Sequence, residues 1–244
     1  MSRPRVKIVY TPGTNCHYET AEAFRLAGGN PEFCNLTEDL LIRKERLAQC
    51  DILAFPGGFS FGDHIAAGRI AALDLVYRLK DQLVEVREKQ IPVIGICNGF
   101  QILVNTGMLP GGGEIGELAA ILDRNQSAVF ESRWVTLYIQ QSDCLWTSGL
   151  SGQSLRVPVA HGEGRLILPD SFNEDQTVVR YGTPEGTMAY PANPNGSPFG
   201  RAGICDATGR IFGLMPHPER AIYPWLGSED GLKIFRAGIR AIRA

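Results

Sequence analysis

The sequence predicts an α/β fold: an open, mostly parallel, doubly wound sheet with a β-rich C-terminal part. Three observations carry this. Strand-like and helix-like stretches alternate through the first half, residues 91–96 are apolar almost without a break as a strand covered on both faces requires, and beyond about residue 127 the helices give way to short β-rich runs.

Taken in order, Val6, Ile8, Val9 and Tyr10 mark a first strand that meets a Thr11-Pro12-Gly13 turn. A helix over 17–26, rich in Ala, Glu and Phe, stops at Gly28-Gly29. A short strand over 32–36 and a charged helical segment lead to a strand over 51–55, ended by Pro56-Gly57-Gly58. Leu73, Val76, Leu79, Leu83 and Val86, spaced by three and four, predict one long helix over 64–89. The apolar strand 91–96 ends at Cys97 and passes directly into a helix over 98–105. The β-rich runs at 135–140, 155–159, 165–168, 178–181 and 211–215 are separated by turns such as Pro194-Asn195-Gly196, and are expected to extend the same sheet. A helix over 229–243 closes the chain. With no internal repeat, low-complexity tract or long linker, a single domain over 1–244 is expected.

Composition narrows the function. Of 244 residues 44% are apolar, and 24 basic against 26 acidic side chains leave a formal charge of −2, so the chain is long enough to bury a sizeable core and disorder is excluded. No basic block argues for nucleic acid or an anionic membrane as partner. The N-terminal apolar run is too short for a signal peptide and no long apolar run follows it, so a soluble cytoplasmic protein is expected. Six cysteines are scattered without a CxxC pair, so neither a disulfide framework nor a metal site is expected.

One cysteine stands apart. Gly95, Cys97 and Gly99 give G-x-C-x-G between a buried strand and a helix, the pattern of a nucleophile elbow in which larger flanking residues would clash. At a helix N-terminus the unpaired amides favour the thiolate that attacks a carbonyl carbon. The bland alternative is a buried cysteine that happens to end a strand. A thiolate needs a proton shuttle, and of His17, His64, His161 and His217 the last has the best setting: a strand delivers it, Pro216 and Pro218 stiffen it, and Glu219 lies two residues on, where it can orient the ring. The pair alone would read as a surface His beside a Glu. The turn at Gly57 and Gly58, with the amide of Asn98, supplies candidate donors for an oxyanion hole; an ordinary turn or a phosphate cradle are the alternatives, although no G-x-G-x-x-G or G-K-[ST] is present.

The motif GICNGFQ (95–101), the PGG turn and the late PHPER resemble the triad, or class I, glutamine amidotransferases, which have flavodoxin-like sheets. More narrowly, PGTNCHYET, PGGFSFGDHIAAG, VAHGEGRL, NPNGS, AGICDATGR and GLMPHPERA resemble the family of glutaminase subunits of phosphoribosylformylglycinamidine synthase, over nearly the whole chain. The resemblance implies that Cys97 attacks the carboxamide of L-glutamine, that His217 and Glu219 complete a triad, and that Gln101 with His161, Gly162 and Glu163 holds the substrate. It also implies a PurL-type synthetase partner that uses ATP and Mg, a small PurS-type accessory subunit, and no cofactor in this chain. His161 is the minor candidate for the base. His17 and His64 stand where an acid and an aromatic are expected, and Cys16 is expected to be structural. Competing readings are another Cys-dependent flavodoxin-like hydrolase, which would place its acid earlier, and a non-catalytic regulatory subunit, which would have lost the nucleophile or the histidine.

Overall fold

In the computed structural model, which describes residues 2–183 and 185–243, the first half builds the parallel part of one sheet. β1 (Arg5–Tyr10), α1 (His17–Ala27), β2 (Asn30–Asn35), β3 (Ile52–Phe55), α2 (Arg69–Arg78), α3 (Lys80–Glu88), β4 (Val93–Ile96) and α4 (Asn98–Asn105) follow in order. The second half supplies β5 (Ile121–Asp123), β6 (Glu131–Ile139), β7 (Ser154–His161), β8 (Arg165–Ile167), β9 (Thr177–Tyr181), β10 (Arg201–Cys205), β11 (Ile211–Leu214) and α5 (Leu232–Arg243).

The nine-stranded sheet runs β2-β1-β3-β4-β11-β10-β9-β6-β7. Pairs from β2 through β11 are parallel, and those from β11 to β7 antiparallel. The central strands β3, β4 and β11 are buried at every position, which is why they read as unbroken apolar runs rather than alternating ones. β2 is an edge strand and tolerates Pro31, whose missing N–H would interrupt an inner ladder. On one face α1 packs against α5, with Phe24 edge-on to Phe235 at 5.0 Å; on the other, α2 packs against α4. No helix among the described residues is long and apolar enough to cross a membrane.

Three expectations are corrected. The helix expected over 64–89 is two helices: Phe61, Gly62, Asp63 and Gly68 have left-handed φ of 52°, 70°, 52° and 72°, which turns 60–68 into a tight loop, and the chain leaves helical geometry again at Leu79 (φ −132°). The charged segment after β2 is helical only over Leu36–Ile42. The run at 165–168 does not extend the main sheet, because β8 pairs with β5 in a separate two-stranded ribbon; β10, whose Gly and Cys hide its strand character, takes a place in the sheet beside β11.

Candidate active site

β4 and β11 are far apart in sequence but adjacent in the sheet, with Ile96 opposite Leu214, so the residues just beyond them meet at one edge. Cys97 is the residue beyond β4. Its backbone is strained, with φ 50° and ψ −105°, and the turn packs this closely because Gly99, two residues on, has no side chain: a Cβ there would lie 1.8 Å from the carbonyl oxygen of Phe55. The amide of Cys97 donates to Leu214 O (2.8 Å), which ties the elbow to β11, and its Sγ lies 3.6 Å from the carbonyl of Ala160. The thiol is buried at the N-terminus of α4.

His217 comes three residues after β11 and is anchored by its own amide to Pro158 O (2.8 Å). Its Nδ1 lies 2.6 Å from Oε1 of Glu219, with both side chains buried. That contact commits Nδ1 to the carboxylate and leaves Nε2 buried, with no hydrogen-bond partner among the described residues. Burial alone would favour neutral imidazole, but the negative charge of Glu219, and then the Cys97 thiol, outweigh it, so the imidazolium of His217 persists well above the usual histidine range. The glycine turn touches this pair, since a Cβ on Gly57 would lie 2.8 Å from Cε1 of His217. Beside it the carbonyl of Gly57 accepts from Cys16 N and the amide of Phe59 donates to Gly13 O, which leaves the amide of Gly58 outside those bonds, next to Cys97 in the same cavity wall.

Two cavities open from the thiol. One, of about 200 Å³, is lined by Gly58, Asp63, Gln101, His161, Gly162 and Glu163 together with Cys97. The other, of about 250 Å³, is lined by Asn15, Cys16, Gly58, His217 and Arg220 with Cys97. Seven of the ten site residues expected from sequence line these cavities; of the other three, Asn98 opens α4 behind Cys97, and Gly57 and Glu219 stand against His217. Several are engaged in building the site. Gln101 Nε2 donates to Glu163 O (2.5 Å) and its Oε1 accepts from Asn98 Nδ2 (3.1 Å); Asn98 Nδ2 also donates to Asp63 Oδ1, and the Glu163 carboxylate accepts from Ala67 N (3.1 Å).

The two buried histidines are electrostatic opposites. Asn125 Oδ1 accepts from Gly164 N, which fixes it as oxygen, so His161 carries its proton on Nδ1 where it meets that oxygen at 3.0 Å. Burial, with His217 nearby, pushes His161 down to about 3, leaving it neutral and ill suited to be the base. No motif surrounds Asn125, so nothing in the sequence marks it as part of the site; Asp63 lies within the PGGFSFGDHIAAG motif but has no role expected of it there, and burial pushes its carboxyl up. Cys16, expected to be structural, lies with Sγ 4.0 Å from His217 Nδ1 and 3.1 Å from Arg220 Nη2. His17 stacks on Tyr10 and lies outside both cavities, as does His64. Cys16, His217 and Glu219 hold donor atoms within 4.8 Å of one another, close enough to share a metal ion, but the His217–Glu219 hydrogen bond and the Arg220 guanidinium against Cys16 both compete with a cation there.

Residues 3–239 match the model of the CobB/CobQ-like glutamine amidotransferase domain. The chain is 43% identical to phosphoribosylformylglycinamidine synthase subunit PurQ of Dehalococcoides mccartyi, over all of this chain and 99% of the relative. It is 38% identical to the PurQ subunit of Pyrococcus furiosus, over 97% and 98% of the two chains. Among solved structures, a chain of PurLQS from Thermotoga maritima superposes with a TM-score of 0.80 at 32% identity, over 98% of this chain and 99% of that one.

Proposed function

Because the chain belongs to the CobB/CobQ-like glutamine amidotransferase family, we propose that it is the glutaminase subunit of a phosphoribosylformylglycinamidine synthase. It releases ammonia from L-glutamine for a PurL-type synthetase, which converts formylglycinamide ribonucleotide to the amidine with ATP and Mg; a small PurS-type subunit completes the assembly. Both partners are supported by the structural relative from Thermotoga maritima, which is a chain of PurLQS. The observation that carries the chemistry is the meeting of Cys97 and the His217–Glu219 pair beyond two adjacent central strands.

The roles follow from the geometry. The imidazolium of His217, stabilised by Glu219, holds at Nε2 the proton given up by the Cys97 thiol, so that the pair stands ready as thiolate and imidazolium. The thiolate adds to the carboxamide carbon of glutamine, seated in the cavity walled by Gln101, His161, Gly162 and Glu163. The negative charge that develops on the carbonyl oxygen is met by backbone amides at Gly57, Gly58 and Asn98, each such donor being worth about 3 kcal/mol of barrier. His217 returns the proton to the departing nitrogen and ammonia leaves. The glutamyl thioester on Cys97 is then hydrolysed by a water deprotonated by the same imidazole, giving glutamate and the free thiol.

The test is covalent. A diazo-ketone analogue of glutamine is expected to label Cys97 alone, and Cys97→Ala is expected to lose both the adduct and glutaminase activity. Labelling elsewhere, or activity retained by Cys97→Ala, overturns the reading.

A further inference from the structure

Glutamine carries more than the carboxamide that Cys97 attacks: its other end holds an ammonium and a carboxylate, and these set it apart from other primary amides. The cavity of about 200 Å³ beside the thiol has no Lys or Arg in its lining. Its one histidine, His161, is neutral, with the proton on Nδ1 and Nε2 left as an acceptor without a partner among the described residues. The only charges on the wall are two carboxylates, Asp63 and Glu163, so the cavity favours a cation over an anion.

Asp63 is placed there by the loop at 60–68, where Phe61, Gly62 and Asp63 take left-handed φ in succession. Its Oδ1 accepts from Gly68 N (3.3 Å) and from Asn98 Nδ2 (3.2 Å). The same Asn98 nitrogen donates to Gln101 Oε1 (3.1 Å), so a carboxylate and an amide oxygen converge at the residue next to the nucleophile. No described residue donates to Asp63 Oδ2, and no cation pairs with it. Burial, and then the charge of Glu163, push its carboxyl up, and an ammonium seated against Oδ2 offsets both. Glu163 is engaged otherwise: its carboxylate accepts from Ala67 N (3.1 Å) and its carbonyl from Gln101 Nε2 (2.5 Å), which fixes the loop.

We propose that Asp63 receives the α-ammonium of L-glutamine, with Gln101 Oε1 as a second acceptor, and so selects an α-amino acid amide over amides that lack the ammonium. The proposal rests on the function proposed above. The α-carboxylate, with no cation to meet it, is left to backbone N–H groups and solvent. Phe59 and Phe130, stacked at 6.4 Å in the same lining, supply an apolar wall for the methylenes.

The experiment compares L-glutamine with 4-carbamoylbutanoate, the same molecule without its α-amino group, on the full chain together with its synthetase and small subunit. Glutamate release gives kcat and KM for glutamine, and competition gives the inhibition constant of the analogue. In wild type that constant should exceed KM by at least about tenfold. Asp63→Asn keeps an acceptor for Gly68 N and Asn98 but removes the charge; KM should rise at least about tenfold with kcat within about threefold, while the analogue's constant stays within about twofold. Glu163→Gln should move both constants by a common factor. A wild type that binds the two amides alike overturns the proposal without recourse to any variant. So does an Asp63→Asn that shifts both constants equally or neither, or a Glu163→Gln that abolishes the preference instead. A wild type that releases no glutamate from glutamine fails the proposed function itself, a result distinct from hydrolysis without discrimination.

Discussion

Nδ1 of His217 and Oε1 of Glu219 lie 2.6 Å apart in a region closed to solvent, and the carboxylate, more than the thiol, keeps the imidazolium favourable against burial. Glu219→Gln keeps the shape and removes the charge. Its expected result is a fall in kcat of about 10²- to 10⁴-fold, with KM for glutamine little changed. Steady-state glutaminase kinetics decide it; a kcat within a few-fold of wild type means that Glu219 does not orient the shuttle.

Two glycines at the site should fail in different ways. A methyl on Gly99 meets the backbone of Phe55 at 1.8 Å and cannot be accommodated by moving a side chain, so Gly99→Ala should lose at least about 3 kcal/mol of stability. A methyl on Gly57 meets the ring of His217 at 2.8 Å, which the ring can escape by tilting. Gly57→Ala should therefore fold and lose about 10- to 100-fold in kcat. Urea unfolding alongside kinetics separates the two, and equal stability of both variants would contradict the contacts.

Asn125 Nδ2 donates to the carbonyls of Val129 and His161 while its Oδ1 accepts from His161 Nδ1 and Gly164 N, so one buried amide holds the whole 161–164 loop. In Asn125→Ala those groups lose their partner. Stability should fall by about 2–4 kcal/mol, and KM for glutamine should rise about tenfold with a smaller change in kcat, since Cys97 and His217 stand on other elements. A larger effect on kcat than on KM would remove the loop from substrate binding.

The contrast between Cys97 and Asn125 marks what a sequence displays. The elbow is legible because the strained turn leaves no room for side chains two residues to either side of the nucleophile, so Gly95 and Gly99 announce it, and β3, β4 and β11 are legible because burial on both faces makes them uniformly apolar. Asn125 acts across the fold on residues up to 39 positions away, and nothing local to it records that task. Cys16 and Arg220 sit within the PGTNCHYET and GLMPHPERA motifs, but their contact with each other behind His217 spans 204 positions and is not written in either motif. The loop at 60–68 was hidden for another reason: three of its left-handed positions carry Phe61, Asp63 and Gly62, of which only the glycine signals positive φ, and the surrounding apolar spacing continues as if the helix began at 64.

The neutral state of His161 predicts a pH dependence of folding. Its pKa falls from 6.5 to about 3 on burial, so between those limits the unfolded chain binds a proton that the folded chain does not, and stability declines as pH falls. His217 acts in the opposite sense: raised in the folded state, its contribution is full below the unfolded value of 6.5 and declines as pH rises from there toward the folded one, and it is common to wild type and variant. The difference between wild type and His161→Gln therefore isolates His161. Between about pH 7.5 and about pH 5 wild type should lose about 2 kcal/mol more than His161→Gln. Urea unfolding of both at the two pH values measures it, and parallel losses would show that His161 is charged in the folded protein or reached by water there.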